Sequence, residues 1–298
     1  MSATHRLSHR LEYLGLSCMR ACIRALPESA AHRFGAACCL LIQEGFGWRK
    51  AETTRRMQQV FPQKTLPELV ALRRKSIRNL GHSLVELLRL ESLDLKWAER
   101  FVELEPALTE LKAAREPGKG VLLVIAHCGN WDLAGTLACA AGIPMCFIAR
   151  KQKNPLACGA LVRARESQGG TVLDRDDPRL LQKVLKHLEN NEVVAILVDI
   201  RARGEAGTFT FLGQPARIAN GLGLLAAKSG AAVLTAALLR DGRRHHWHAF
   251  PVRQLTPATR SREHRDALLQ ACLDDLSREL LTHPEAYFWY NKKWVLDL

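Results

Sequence analysis

Gly120-Val-Leu-Leu-Val-Ile-Ala-His127-Cys-Gly-Asn-Trp-Asp132-Leu-Ala-Gly135 decides the reading of this chain. The apolar run Val121 to Ala126 reads as a buried strand, His127 stands at its carboxyl end, and Asp132 opens a helix. Open α/β sheets place their sites at the carboxyl ends of strands, so His127 is the first candidate. On one regular helix, residues five apart point about 140° away from each other. A turn between them instead lets Asp132 fold back to the imidazole, fix its tautomer and support the imidazolium formed when the ring takes a proton from a hydroxyl. The spacing alone is weak: with 11 His and 30 acids, roughly one His-x4-acid pair arises by chance. A second pair, His187/Glu192, sits late in a polar helix. The plain alternative is a His that caps or packs at a strand end.

Outward from this stretch the style of the sequence differs on its two sides. Up to about Pro117 the periodicity is helical, with Pro27, Pro62 and Pro67 where helices start or stop and no convincing strand. Glu68 to Leu90 is the best helix. After Gly118, apolar runs at Met145 to Ala149, Val193 to Val198, Ala231 to Leu239 and Trp247 to Val252 read as strands. Trp131 to Ala141, Pro155 to Gln168, Pro178 to Glu189 and Ile218 to Ser229 read as helices, the last stopped by Gly230. The expectation is an α/β fold: a helical N-terminal region, residues 1–118, that associates with membrane, then a mixed β-sheet flanked by helices, residues 119–298, as one continuous domain.

With 47% hydrophobic and 24% charged residues, the 298-residue chain excludes disorder and coiled coil as overall descriptions. The net charge of +13 favours an acidic partner such as phospholipid, nucleic acid or an anionic carrier protein. Nine Cys without CxxC pairs or regular spacing read as reduced thiols in a cytosolic setting. The longest early apolar run, Phe34 to Ile42, is about half of what spans a bilayer, and no cleaved signal peptide is evident. Leu7, Leu11, Leu14, Cys18, Cys22 and Leu26 recur at helical spacing between Arg6, Arg10, Arg20 and Arg24. That pattern suits a helix on an anionic membrane surface and equally a helix packed on a core.

Other constellations are weaker. Cys128 beside His127 offers a covalent route, although adjacent residues usually point apart. No G-x-S-x-G elbow exists, because Gly81-His-Ser83 lacks the final Gly. Gly221-Leu-Gly223-Leu-Leu-Ala226 lacks a preceding strand and reads as helix packing. Asp174 to Asp177 before Pro178 reads as a helix start rather than a metal cluster, and His245, His246 and His248 as solvent-facing residues of a strand. Arg150, Lys151, Lys153, Arg163 and Arg165 form a basic stretch, and Arg240 to Arg265 another. Arg150 and Asp199 each close an apolar strand, which brings them toward His127 if those strands are neighbours.

At these residues the chain resembles the bacterial lipid A biosynthesis acyltransferases, the late lauroyl/myristoyl transferases of the lysophospholipid acyltransferase superfamily. Asn79-Leu-Gly-His-Ser-Leu-Val-Glu86 is similar to the helical segment before the core, and His127-Cys-Gly-Asn-Trp-Asp132 to the His-x4-Asp/Glu motif. Arg150 with Asn154-Pro-Leu, then Arg165-Glu-Ser-Gln-Gly169, resembles a second block; Val198-Asp199 with Phe211-Leu-Gly-Gln-Pro-Ala216 resembles a third. Pro284-Glu-Ala-Tyr-Phe-Trp289-Tyr-Asn-Lys-Lys-Trp294 is similar to the closing aromatic-basic signature. The resemblance implies a glycerol-phosphate acyltransferase-like core and acyl transfer from an acyl carrier protein thioester to a hydroxyl of an anionic membrane glycolipid, a lipid A precursor, without metal or redox cofactor. His127 is then the general base and Asp132 its orienter, with Arg150, Arg165, Asp199 and Asn130 binding substrate. It also implies a peripheral or monotopic place on the cytoplasmic face of the inner membrane and no nucleic-acid partner. The rivals are another lysophospholipid or phosphatidylinositol-mannoside-type lipid acyltransferase, a non-catalytic basic protein that binds membrane or nucleic acid, and a thioesterase of similar layout, in which water replaces the lipid hydroxyl.

Overall fold

Proline and capping chemistry set the helices of the first ninety residues. The computed structural model describes residues 3–202 and 206–297. It contains α1 (Ala3–Ala25), α2 (Glu28–Glu44), α3 (Lys50–Val60) and α4 (Leu66–Arg89) in that order. Pro27 precedes α2, and α4 opens on a capping box in which Glu68 Oε2 accepts from the Thr65 backbone at 2.7 Å, with Pro67 in its first turn. Helices α2 and α4 cross where each has a glycine. A Cβ on Gly81 would stand 2.5 Å from the Gly35 carbonyl oxygen, so only glycine lets the backbones meet there.

Next come α5 (Leu95–Phe101), the short strand β1 (Val102–Glu103) and α6 (Glu105–Arg115). The alternating half comprises β2 (Val121–Ile125), α7 (Trp131–Ala140), β3 (Met145–Ala149), α8 (Pro155–Glu166), β4 (Thr171–Asp174), α9 (Leu180–Glu189) and β5 (Val193–Leu197). A hairpin of β6 (Gly207–Phe211) and β7 (Gln214–Ile218) precedes α10 (Gly221–Ser229), β8 (Ala232–Asp241), β9 (Arg244–Ala249) and α11 (Arg262–Thr282). The seven-stranded sheet runs β1-β9-β8-β2-β5-β3-β4. Its strands pair in parallel except for β8 with β9. Parallel strands covered by helices on both faces must be apolar throughout, and Val121 to Val124 are all buried.

Several elements depart from the sequence expectations: β4 and β6 are strands the sequence reading did not mark, and β9 spans Arg244–Ala249 rather than Trp247 to Val252. Ile218 ends β7 instead of opening a helix, because Gly207 to Ile218 closes on the two-residue turn Leu212-Gly213, both at positive φ. β1 occurs before Pro117. His245 is buried, because β9 points His245 and Trp247 to the same inner face while Arg244 stays outside. The helix-packing reading of Gly223 matches its closeness to the Arg265 side chain on α11.

Arg56 ties the chain's far end to its beginning. Fully buried on α3, its guanidinium donates to the Trp289 and Asn291 carbonyls at 2.8 Å, pairs with Glu52 and Asp297, and lies 5.2 Å from the Trp294 ring centre. The segment from Pro284 onward is thereby pressed onto the carboxyl end of the sheet.

Candidate active site

His127 follows β2 in a tight turn, with the Cys128 amide donating to the Ala126 carbonyl at 2.8 Å. The turn depends on Gly129, whose φ is +55° and whose added Cβ would stand 1.6 Å from the Leu238 carbonyl oxygen. Gly129→Ala is expected to destabilise the fold by more than about 3 kcal/mol, read as a lowered denaturation midpoint, since neither the conformation nor the space admits a methyl. The C-terminal segment closes the other side. Phe288 N donates to the His127 carbonyl and Gly129 N to the Ala286 carbonyl, each at 2.8 Å.

The carboxylate on the imidazole is Asp199, not Asp132. β5 is hydrogen-bonded to β2, so the residue just beyond its carboxyl end arrives beside His127. Asp199 Oδ1 stands 2.9 Å from His127 Nδ1, and its Oδ2 accepts the His127 backbone N–H at 3.1 Å. These bonds repay the burial of a carboxylate that is 2% exposed. Burial pulls the imidazole pKa down, but the Asp199 charge and hydrogen bond outweigh it, with a smaller contribution from Asp132, so His127 titrates above the ordinary histidine value. With Nδ1 held by Asp199, Nε2 is the ring nitrogen left for a substrate.

Asp132 has a different partner. In the first turn of α7 its Oδ1 accepts from Arg165 Nε on α8 at 2.6 Å. Trp131 packs edge-on against His127 with ring centres 5.0 Å apart. Asn130 is buried, and both ends of its amide bond within the protein, the carbonyl to Leu133 N and the NH2 to Glu86. It is therefore not free to hold substrate. Cys128 is also buried, and burial first and the Asp199 charge second push its thiol far above the usual range, which removes it as a nucleophile at neutral pH.

A cavity of about 430 Å³ opens beside His127. Arg150, Arg165, Arg175, Arg201, Lys292 and Lys293 line it, with Phe147, Ile148 and Leu197 as apolar wall. Arg150 lies on the rim: its side chain is 59% exposed and pairs with Asp176 at 3.6 Å, and β5 stands between its strand and that of His127. The sequence reading missed Arg175, Arg201, Lys292 and Lys293. Arg175 follows β4 and Arg201 lies four residues beyond β5, so the strand-end rule that singled out Arg150 reaches them once the sheet order is known. Asp174 and Asp177 engage the chain's own Lys151, Lys183 and turn amides.

Comparison with known proteins agrees with this architecture. The model of the family described as bacterial lipid A biosynthesis acyltransferase matches residues 2–295. A phosphatidylinositol mannoside acyltransferase of Mycobacterium tuberculosis (strain ATCC 25618 / H37Rv) is 25% identical over 280 residues, 93% of this chain and 86% of that relative. The protein of that name from Mycolicibacterium smegmatis (strain ATCC 700084 / mc(2)155) is 22% identical over 93% of this chain and 89% of its own length. With a match across almost its whole length, the chain belongs to the bacterial lipid A biosynthesis acyltransferase family.

Proposed function

We propose that the protein moves a fatty acyl group from the thioester of an acidic acyl carrier protein to a hydroxyl of an anionic membrane glycolipid, a lipid A precursor, with His127 as general base. The observation that carries this reading is an imidazole backed by a buried carboxylate at the edge of a cavity lined by six cationic side chains. His127 Nε2 takes the proton from the acceptor hydroxyl as its oxygen attacks the thioester carbonyl. A tetrahedral oxyanion forms, favoured by Arg165 and by the positive end of α7, which begins at Trp131. On collapse the C–S bond breaks and the sulfur leaves with the proton held by the imidazolium, giving an ester and a free thiol. Asp199 supports the imidazolium between these two transfers, and Asp132 holds Arg165 in place.

The names of the relatives favour a second acceptor of the same chemistry, a phosphatidylinositol mannoside. Lipid mass spectrometry of cells carrying wild-type or His127→Ala protein decides between them: the product present only with the wild type names the acceptor, and identical lipid profiles defeat the reading.

For the membrane, the exposed Leu7, Leu11 and Leu14 of α1 supply an apolar face; the side chain of Arg6 falls outside the described part of that helix. Phe46 is 80% exposed, and its neighbour Trp48 stacks on Tyr290 beside the cavity residues Asn291 to Lys293. No helix among the described residues is long and apolar enough to cross a bilayer. A peripheral position on the cytoplasmic face of the inner membrane fits these features. Because exposed charges are screened over a Debye length of about 8 Å at physiological ionic strength, added salt is expected to raise KM for carrier-bound donor and anionic acceptor before it affects kcat. Arg150→Ala, at the rim, is expected to raise KM about fivefold and to change kcat less than about threefold in steady-state kinetics.

A further inference from the structure

Glu86 has no part in the mechanism above, yet it is a carboxylate of 2% exposure in the last turn of α4. Taking a charge out of water costs several kcal/mol unless partners replace the water, so its partners are informative. Oε1 contacts the Arg240 guanidinium on β8 and stands 3.0 Å from His245 Nε2 on β9. Oε2 accepts from Asn130 Nδ2 at 2.8 Å. His32 Nε2 on α2 is 4.0 Å away, and His82 lies one turn earlier on α4 with its ring centre 5.3 Å from that of His32. Burial alone would raise the Glu86 pKa, but His245 and Arg240 outweigh it and hold the carboxyl far below the usual range. Burial drives His32 and His82 down to about 4, which leaves both neutral at physiological pH.

Asn130 is the joint between this charge and the active site. Because a carboxylate only accepts, it holds the Asn130 NH2 toward itself and turns the amide carbonyl toward Leu133 N, 3.1 Å away, where it caps α7. The first turn of α7 carries Trp131, packed on His127, and Asp132, bonded to Arg165. Helix α4 repeats the grip along one face. Ser76, Asn79, Ser83 and Glu86 are spaced by three, four and three residues, which puts all four on one side. Ser83 Oγ donates to the Gly129 carbonyl at 3.1 Å, Asn79 Nδ2 to the Glu285 carbonyl at 3.3 Å and Ser76 Oγ to the Tyr287 carbonyl at 3.4 Å. The stripe therefore holds both segments that wall in His127.

We infer that Glu86 is a positioning residue for acyl transfer: through Asn130 it fixes the N-terminus of α7, and with it Trp131, Asp132 and Arg165, against His127. This rests on the reading of His127 as general base. A fault in such positioning lowers kcat, because displacements of an ångström or less at reacting groups cost one to two orders of magnitude, while substrate binding across the rest of the cavity is kept.

The test measures thiol release from palmitoyl-loaded acyl carrier protein presented with vesicles of total bacterial membrane lipid, together with the melting temperature of each variant. Asn130→Ser keeps a helix cap and drops the bond to Glu86; it is expected to lose about tenfold in kcat, with KM within about twofold and a melting temperature within a few degrees of wild type. Glu86→Gln sets an amide NH2 against a donor and is expected to fall at least as far. The pair Glu86→Gln with Asn130→Asp exchanges donor and acceptor across the same contact, so it is expected to recover kcat to within about threefold of wild type. Wild-type kcat in Asn130→Ser overturns the assignment, as does a double variant no faster than Glu86→Gln; if Glu86→Gln does not fold, Asn130→Ser decides alone. His127→Ala runs in the same assay. Retained turnover there removes the reading of His127 itself, whereas an inactive His127→Ala beside a fully active Asn130→Ser removes only the role of Glu86.

Discussion

His127→Ala protein is expected to transfer acyl groups at least about 10²-fold more slowly than wild type, the loss that follows when a positioned general base is deleted. The substitution also takes the ring contact from Asp199, a buried carboxylate that then keeps the residue 127 backbone N–H and the Tyr287 hydroxyl, so the melting temperature is expected to fall by several degrees. His127→Asn separates the two effects. Its side-chain amide places an N–H donor near the position of Nδ1 and restores stability, but it has no basic nitrogen at the position of Nε2 and stays as slow as the alanine variant. Near-wild-type turnover in either purified protein would remove His127 from the chemistry.

Asp199→Asn is expected to lower kcat by about 10²-fold or more, because the neutral amide neither fixes the tautomer nor supports the imidazolium. Its pH profile carries the sharper signal. Only the unprotonated ring accepts a proton, so kcat/KM of the wild type rises with pH through the His127 pKa, which Asp199 holds above the ordinary value of 6.5. Removing that charge leaves burial to dominate, and the midpoint moves to lower pH while the plateau falls. Asp132→Asn, which loses a contact to Arg165 rather than to the ring, is expected to fall less than about tenfold with a much smaller shift of midpoint. A profile in which Asp132→Asn moves the midpoint and Asp199→Asn does not would restore Asp132 as the orienter.

The local sequence carried the central strands well, because a strand covered on both faces must be apolar at nearly every position and β2, β3, β5 and β8 are written that way. It carried His127 for the same reason, since the strand's end marks the place. The partner of the imidazole was harder to read. His-x4-Asp measures distance along the chain, whereas the Asp199 contact is made across two paired strands, and pairing order leaves no local trace. The second His-x4-acid pair makes the point: His187 Nδ1 and Glu192 do bond at 2.7 Å, at the opposite end of the sheet, where β5 begins. Spacing alone therefore picked out a contact where no cavity residue lies and misassigned the one beside the cavity. Glu86 was legible as part of the helical segment but not as a buried charge, because its partners Arg240 and His245 arrive from β8 and β9, about 150 residues later.

The segment from Pro284 to Asp297, which hydrogen-bonds the His127 turn and is clamped by Arg56, gives the protein a sense of time. A ribosome delivers His127, Asp199 and the cationic wall of the cavity well before it delivers Phe288, Lys292 and Lys293. While those last residues are missing, the His127 carbonyl has no Phe288 N–H and the Gly129 N–H no Ala286 carbonyl, and the turn lacks one of its walls. Among the residues that form the site, those that close the His127 turn are thus the last to be made, so the turn takes its final order after the ring and its carboxylate partner already exist.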